Sequence, residues 1–272
     1  MAPMPAAVRL IHPAPAAAVT LLTTVLGAIL LAQAGQPPGW RLLLTVLAVA
    51  GSQVFTGASN DLADEERDAV SGRREKPLPG GAISRGGAQA VATFGVVLEL
   101  AASIPLGVPA TALGLAATAG AAAYNLLLSR TWLSPLPYLV SFGLLPAWIA
   151  AGVGVDVVRV LPAMPLAALL AAAAHLANTL RDFDPDAAGG SRSLAQHLGR
   201  GWTRLLASAT LLGVGIGVGL ALLIGGAGAA SLGLGALGLA AVAIGSLRER
   251  WLWYAILLGA VAWTAAWALA TG

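Results

Sequence analysis

The sequence contains no cysteine and few charged residues. Without cysteine there can be no disulfide, no zinc–thiolate site and no thiol nucleophile. Charged residues make up 10% of the 272 positions, whereas a soluble domain has about 25%. Hydrophobic residues make up 58%, and the mean hydropathy is +0.82. This composition indicates an integral membrane protein.

Histidine is also scarce, and its spacing forms no metal-ligand motif, because His12, His175 and His197 lie far apart. The isoelectric point near 9.9 does not indicate a nucleic-acid partner, since the basic residues border apolar stretches instead of forming a soluble basic face. The N-terminus lacks the pattern of a cleaved signal peptide, so we expect its first apolar run to be retained.

Nine apolar stretches are long enough to cross a bilayer as helices, which takes roughly 20 mostly apolar residues. With approximate ends they are 16–34, 41–59, 88–106, 109–127, 136–154, 161–179, 203–223, 229–247 and 251–270. Most of the connections between them are short, and several contain Pro and Gly. We therefore expect one all-α domain over residues 1–272, a multi-pass transmembrane bundle of about nine helices around a central cavity.

The distribution of lysine and arginine predicts the topology. With the N-terminus in the cytoplasm, thirteen of the fifteen basic residues fall on the cytoplasmic side, and only Arg41 and Arg159 fall outside. The opposite orientation would reverse this ratio. We expect a protein of the cell (cytoplasmic) membrane whose two long polar connections are both cytoplasmic.

Those two connections hold most of the acidic residues. The first, residues 60–84, contains six of the twelve acids, and the second, residues 178–192, begins 118 positions after the start of the first. Aligned on their asparagines, both have the pattern Asn-x-x-x-Asp-x-x-x-Asp. The first acidic motif comprises Asn60, Asp61, Asp64 and Asp68. The second acidic motif comprises Asn178, Asp182 and Asp186.

The repeated spacing favours a metal site over a solvated helix end. Residues four apart lie along one face of a helix, about 6 Å apart along its axis. If the two helix ends face each other, their carboxylates and amide oxygens converge, and without a cation these carboxylates would resist ionisation. Mg²⁺ prefers oxygen ligands and is commonly held by one or two carboxylates plus substrate phosphates. The pattern therefore predicts a site for Mg²⁺ and a diphosphate.

Basic residues near the motifs fit this prediction. Lys76, Arg130 and Arg181 could neutralise phosphate oxygens, or they could anchor helix ends at the membrane surface. Pro77 and Pro79, with the glycines that follow, are expected to turn the chain back after Lys76.

Three further residues stand out from the sequence around them. Pro185 is expected to end or kink the helix of the second acidic motif. Glu99, inside the third apolar stretch, is a functional candidate with no partner visible in the sequence. Asn125 lies near the end of the fourth stretch, and we expect it to be a buried core residue whose hydrogen-bonding groups are satisfied.

The two motifs resemble those of the UbiA-type intramembrane prenyltransferases. The family's first motif, NDxxDxxxD, matches Asn60, Asp61, Asp64 and Asp68. Its second motif, DxxxD, matches Asp182 and Asp186. Its basic loop, approximately RPLPxGxIS, is similar to KPLPGGAIS at 76–84, with lysine in place of arginine. A tyrosine followed by a basic residue, here Tyr124 and Arg130, is also similar to the family pattern.

The resemblance implies Mg²⁺-dependent transfer of a prenyl group from a polyprenyl diphosphate to an aromatic or other lipid-precursor acceptor within the membrane. Loss of diphosphate would leave an allylic cation that the acceptor attacks. The implied metal ligands are Asn60, Asp61, Asp64, Asp68, Asp182 and Asp186. The implied substrate-binding residues are Asn60, Lys76, Tyr124, Arg130, Asn178 and Arg181. Those implied to act in catalysis are Asp64, Asp68, Asp182 and Lys76.

Other functions stay open at this point. A membrane terpene cyclase could use the same Mg²⁺–diphosphate site without an acceptor. A secondary transporter could use two repeated acidic half-sites, but it would place them near the membrane midplane at broken helices. Here the acids lie at the ends of apolar stretches beside basic loops. A non-catalytic scaffold is the weakest alternative.

Overall fold

The computed structural model describes residues 4–271, and within them the structure is helical with no β-strand. The α-helices are α1 Ala6–Leu10, α2 Pro13–Gln33, α3 Trp40–Val70, α4 Arg85–Ser103, α5 Val108–Ala123, α6 Leu136–Val153, α7 Ala163–Arg181, α8 Phe183–Ala188, α9 Leu194–Ile224, α10 Ala229–Ser246 and α11 Glu249–Thr271. In this part of the chain nine helices are long and apolar enough to cross a membrane. The predicted all-α, multi-pass class is confirmed.

Each of the nine membrane-spanning helices coincides with a predicted stretch, but α3 and α9 are longer than predicted, at 31 residues each. A helix of that length measures about 46 Å, at ~1.5 Å per residue. The hydrocarbon core of a bilayer is only ~30 Å thick. The last turns of α3 therefore continue beyond its apolar part, and they carry the first acidic motif on the same helix.

The chain divides into two compact units. The first unit contains the residues up to Leu127 together with Leu144–Val160, and the second contains Leu128–Gly143 together with the residues from Leu161 onward. The first acidic motif belongs to the first unit and the second acidic motif to the second. The single domain expected over 1–272, and the convergence of the two motifs, stay predictions.

In the first unit, α3 and α4 approach each other through glycine. A Cβ atom on Gly51 would lie 2.6 Å from the backbone nitrogen of Glu99, and one on Gly95 would lie 2.5 Å from that of Phe55. Real Cβ atoms do not come so close, so larger residues would push the helices apart. Close approach through small residues is the usual packing of helices in membranes.

This packing buries Glu99, which is 1% exposed. The Thr118 hydroxyl lies 3.0 and 2.9 Å from its two carboxyl oxygens, and Ser52 Oγ lies 2.7 Å from Thr118 Oγ1. The three side chains belong to α4, α5 and α3. Glu99 therefore has a hydroxyl partner, Thr118, that sequence spacing did not reveal.

In the second unit, α7, α9, α10 and α11 enclose an apolar core that contains the buried side chains of Leu180, Leu211 and Leu252. Trp263 lies in the same core, and its indole nitrogen donates a hydrogen bond to the Gly235 carbonyl at 3.3 Å. Because Leu180 is anchored here, the core fixes the end of α7, where the second acidic motif begins.

Arg41, one of the two basic residues predicted to lie outside, has clear structural partners. Its guanidinium donates hydrogen bonds to the carbonyls of Leu106 at 2.9 Å and Ala151 at 3.1 Å. Both carbonyls lie in the last turn of a helical segment, where backbone donors run short. Hydrogen bonding therefore explains why a cation stands at this position, which the distribution of basic residues alone would not favour.

The predicted topology can be tested with introduced cysteines, because the chain has none of its own. The Ser71→Cys and Ser191→Cys variants should react with a membrane-impermeant thiol reagent only from the cytoplasmic side. The Gln36→Cys variant, altered in the connection between α2 and α3, should react only from the opposite side and serves as the matched control. Labelling of the Ser71→Cys or Ser191→Cys variant from outside intact cells would overturn the topology.

Candidate functional site

The first acidic motif occupies the last turns of α3. Asp61 and Asp68 are buried, with 2% and 1% of their surfaces exposed, whereas Asn60 and Asp64 are half-buried. Seven residues, about two helical turns, separate Asp61 from Asp68, so both project from one side of the helix. Two buried carboxylates on one side need a cationic partner.

Lys76 is that partner. Its ammonium nitrogen lies 3.1 Å from Asp61 Oδ1 and 2.6 Å from Asp68 Oδ2. Burial of the ammonium disfavours its charge, but the hydrogen bond to Asp68 and the attraction of Asp61 outweigh burial and hold the pKa of Lys76 above its ordinary value. Lys76 is therefore a charged bridge between the two buried carboxylates.

The connection from α3 to α4 holds Lys76 in this position. Gly72 and Gly81 have φ values of +72° and +71°, which favour glycine and allow tight turns. Leu78 is buried in an apolar cluster with Leu10 of α1. The turns predicted after Lys76 from its Pro and Gly residues are thus present, and one buried side chain ties them to the helices.

His12 also contacts the first acidic motif, and the sequence gives no sign of it, because 49 positions separate it from Asp61. His12 Nε2 lies 3.2 Å from Asp61 Oδ1. A Cβ on Gly57 would lie 2.7 Å from the Ile11 backbone, so a glycine in α3 lets the N-terminal segment come this close. His12 itself has φ +51°, which is uncommon for a residue other than glycine.

Asp64 is the carboxylate of this motif with the weakest protein contacts. Its Oδ2 lies 2.5 Å from an Arg67 guanidinium nitrogen, one turn along the same helix and partly exposed. Exposed pairs of this kind contribute little to stability. Asp68, in contrast, pairs with Lys76 and also lies 3.5 Å from Arg73.

Asn60 is bound to the turn that ends α5. Tyr124–Leu128 forms a π-helical turn, a feature that occurs frequently at functional sites. Asn60 Nδ2 donates a hydrogen bond to Asn125 Oδ1 at 3.3 Å. Tyr124, predicted to bind substrate, is the half-buried first residue of that turn. The structure thus connects Asn60 with the turn that contains Tyr124.

The second acidic motif lies where α7 is succeeded by α8. α7 ends at Arg181, Asp182 has φ −102° and ψ 17°, and α8 begins at Phe183. Pro185 has no N–H to donate to the carbonyl four residues earlier, which explains the break. The N–H of Asp186 still donates to the Asp182 carbonyl at 2.8 Å. The second motif therefore does not lie on one unbroken helix face, and the interruption expected from Pro185 is present.

The polar side chains of this motif are accessible. Asn178, Arg181 and Asp182 are exposed, and Asp186 is half-buried. Asp182 stands at the break itself, between two helices, where its carboxylate is not enclosed by packing. This openness is what a ligand-binding carboxylate requires.

Arg130 lies beside the loop that follows the second acidic motif. Its guanidinium donates a hydrogen bond to the carbonyl of Gly189, just after α8, and its own carbonyl accepts one from the Arg192 N–H at 3.0 Å. A cation is favoured at the C-terminal end of a helix. The structure therefore places this predicted phosphate-binding residue next to the motif in the same unit, with its side chain exposed.

Arg200 positions α8 and was not identified from the sequence. Its guanidinium nitrogens lie 2.9 Å from Asp184 Oδ2 and 2.6 Å from Glu249 Oε1, and its carbon lies 5.0 Å from the centre of the Phe183 ring. Gly199, with φ +77°, kinks α9 immediately before it. Asp184, the remaining acid of the second stretch, is therefore engaged in fixing α8.

Each acidic motif contains oxygen donors of the kind that Mg²⁺ binds together with a phosphate. Among residues 4–271, no three His, Asp or Glu side chains converge into a group that could hold a metal by themselves. Mg²⁺ does not need such a group, since it commonly takes one or two carboxylates and completes its shell with water and substrate phosphate. Asn60, Asp64 and Asp182 are oxygen donors of the required kind and accessibility.

Comparison with known proteins identifies the family. Solved structures with the same fold include one concerning digeranylgeranylglyceryl phosphate synthase (TM-score 0.75, 16% identity, 97% of this chain and 98% of that one covered). A UbiA homologue from Aeropyrum pernix K1 has a TM-score of 0.75 at 20% identity, with 92% and 95% covered. A UbiA homologue from Archaeoglobus fulgidus has a TM-score of 0.70 at 16% identity, with 98% and 100% covered.

At these identities the structural matches bear on the fold. No curated protein matches the sequence. The model of the UbiA prenyltransferase family, however, matches residues 20–271, which is nearly the whole chain. The chain therefore belongs to the UbiA prenyltransferase family.

Proposed function

We propose that this protein transfers a prenyl group from a polyprenyl diphosphate to a small-molecule or lipid acceptor within the membrane, in a reaction that requires Mg²⁺. The observation that carries the proposal is the pairing of Lys76 with Asp61 and Asp68. Asn60 and Asp64, the other oxygen donors of the motif, do not contact Lys76, and in this proposal they bind the cation, with Asp64 exchanging its contact with Arg67 for the metal.

Relatives support the choice of donor and cation. The Archaeoglobus fulgidus homologue has been solved bound to GPP and Mg²⁺ and bound to DMAPP and Mg²⁺. Both ligands are allylic diphosphates. If this chain binds the same class of ligand, it uses an allylic diphosphate as donor, which favours the prenyltransferase over the transporter alternative.

We assign the metal-binding role to Asn60, Asp64, Asp182 and Asp186. Asp61 and Asp68, implied as further ligands by the resemblance, hold the ammonium of Lys76 in the structure described above. We therefore propose that they fix Lys76, and that Lys76 supplies positive charge for the diphosphate. A lysine at this position keeps the charge but lacks the two-pronged geometry of arginine.

Further groups complete the donor site in this proposal. Arg130 and Arg181 neutralise phosphate oxygens, and both are exposed cations of the second unit. Tyr124 and Asn178 contact the donor beside the metal ligands. Charge-assisted hydrogen bonds of this kind are about twice as strong as neutral ones, which suits a ligand with several negative charges.

The chemistry follows from charge and exclusion of water. Mg²⁺ held by Asn60, Asp64, Asp182 and Asp186 would stabilise the negative charge that grows on the diphosphate as the allylic carbon–oxygen bond breaks. Lys76 and Arg130 hold the leaving oxygens in place. The apolar helices surround the prenyl chain and keep water from the allylic cation until the acceptor attacks it. The proton released by the acceptor balances the reaction.

The experiment is to incubate purified protein and Mg²⁺ with a panel of allylic diphosphates, with and without candidate acceptors, and to identify products by mass. The candidate acceptors are aromatic acids, quinone precursors, tetrapyrroles, glycerol-phosphate lipids and sugar phosphates. We expect a prenylated acceptor. A cyclised hydrocarbon formed without acceptor would instead establish the terpene cyclase alternative on the same site.

A further inference from the structure

We propose that Asn125 is a positioning residue that turns the side-chain oxygen of Asn60 toward the bound cation. The inference rests on the proposed function, because it concerns Asn60 as a ligand of Mg²⁺. The evidence is a series of hydrogen bonds within the first unit. Each bond fixes which end of the next amide side chain faces its partner.

The series begins at the backbone carbonyl of Thr56. Asn125 Nδ2 lies 2.9 Å from that oxygen, which can only accept a hydrogen bond. The NH₂ end of the Asn125 amide must therefore face α3. The same nitrogen lies 2.8 Å from Ser59 Oγ, so both of its protons have partners. The Oδ1 end of the Asn125 amide therefore points away from the Thr56 carbonyl.

That oxygen then orients Asn60. Asn125 Oδ1 also can only accept, so the side chain 3.3 Å from it must present its own NH₂ group, Asn60 Nδ2. Asn60 Oδ1 lies at the opposite end of the same amide. Within the described chain no hydrogen-bond donor contacts that oxygen.

Orientation matters because only one end of an amide binds a hard cation. Mg²⁺ takes oxygen ligands, so a reversed Asn60 would present NH₂ protons to the metal. The reversed amide would also set its oxygen against Asn125 Oδ1. Asn125 is 7% exposed, so water cannot easily replace the missing hydrogen bond. Asn125 thereby selects the useful orientation before the cation arrives.

The test measures Mn²⁺ binding to the purified protein by electron paramagnetic resonance in the presence of inorganic diphosphate, because the cation is proposed to bind together with a phosphate. Asn125→Leu keeps a similar volume and removes the orienting acceptor. We expect its Mn²⁺ dissociation constant to rise about tenfold, as is typical when a group that orients a metal ligand is lost. Ser59→Ala is the matched control and should bind Mn²⁺ normally, because the Thr56 carbonyl still fixes Asn125.

A rescue variant separates positioning from a general role in packing. Asn60→Asp presents an oxygen at both ends of the side chain, so metal binding no longer depends on which end faces Asn125. When it is combined with Asn60→Asp, Asn125→Leu should therefore no longer lower Mn²⁺ affinity relative to Asn60→Asp alone. A purely structural role for Asn125 would lower the affinity by the same factor with and without Asn60→Asp.

If Asn125→Leu does not fold, the unsubstituted protein still provides a measurement. The chain has three asparagines, so selective ¹⁵N labelling yields three side-chain amide pairs. We expect the Asn60 NH₂ protons, assigned with Asn60→Asp, to stay protected from solvent exchange with and without Mg²⁺. Rapid exchange once Mg²⁺ is bound would show that the hydrogen bond to Asn125 is absent, and would overturn the inference.

The outcomes also separate this inference from the proposed function. Equal Mn²⁺ affinity of the unsubstituted protein and Asn125→Leu would overturn the positioning role and leave the metal site standing. Failure of the unsubstituted protein to bind Mn²⁺ at all would overturn the metal site of the proposed function, and the positioning role with it.

Discussion

Asp64→Ala and Asp182→Ala are each expected to abolish prenyl transfer in a protein that still folds. Each carboxylate is proposed to bind the cation that stabilises the leaving diphosphate, and neither is enclosed by packing, since Asp64 is half-buried and Asp182 exposed. Loss of such a group should lower turnover by about a hundredfold or more. Diphosphate release measures turnover, and thermal unfolding in detergent confirms that the fold is retained.

Glu66→Ala is the matched control for Asp64→Ala. Glu66 is an exposed acid on the same end of α3 and lies outside the motif, so this variant should keep normal turnover. Full activity of Asp64→Ala or Asp182→Ala would contradict the metal-binding assignment. Undiminished turnover of the unsubstituted protein in EDTA would contradict it as well.

Lys76→Glu is expected to be nearly inactive and markedly less stable. The substitution places a third carboxylate beside Asp61 and Asp68, which are 2% and 1% exposed. Breaking a buried ion pair by removing one partner costs about 3–5 kcal/mol. Lys76→Ala should lose stability for the same reason, and its turnover should fall about ten- to hundredfold through the lost charge-assisted contact with diphosphate.

Lys76→Arg should retain most activity and stability, because it keeps the positive charge. Arg74→Ala is the control, since Arg74 is an exposed base two residues away in the same connection. Donor kinetics and unfolding temperatures distinguish the cases. Equal values for the Ala, Arg and Glu variants of Lys76 would remove it from the site and leave Arg130 as the leading phosphate-binding residue.

The membrane spans and the spacing within the first acidic motif were predictable from the sequence, because both are patterns over short stretches of the chain. Each membrane span is a run of apolar residues, so its length alone identified the helices that became α2 to α7 and α9 to α11. The spacing within Asn60, Asp64 and Asp68 holds in the structure, because α3 continues without a break to Val70. Pro185 also marked the interruption of the second motif.

Contacts between residues far apart in the chain were not predictable. His12 contacts Asp61 because Gly57 leaves room for the N-terminal segment to pack against α3. A single sequence shows no link between these residues. The contacts of the Lys76 ammonium with the carboxylates of Asp61 and Asp68 were also not visible in the sequence, and its role at a phosphate stays a prediction. Such partners depend on how helices pack, which periodicity does not encode.

The same limit applies to groups that belong to no motif. Arg200 pairs with Asp184 and Glu249 immediately after the kink at Gly199, and because α9 contains several glycines the sequence did not single out this one as the kink. Asn125 was expected to be a satisfied core residue. Its burial and bonding confirm that, and they also connect it to Asn60.

The most direct test of the proposed activity is diphosphate release from an allylic diphosphate compared with isopentenyl diphosphate, which carries the same phosphates on a non-allylic carbon. The protein should be assayed with acceptors present, in Mg²⁺ and in EDTA. We predict release only from the allylic substrate, only with Mg²⁺, and only while both Asp64 and Asp182 are intact. Release that persists in EDTA, or equal release from the two substrates, would contradict Mg²⁺-dependent ionisation of an allylic diphosphate by this protein.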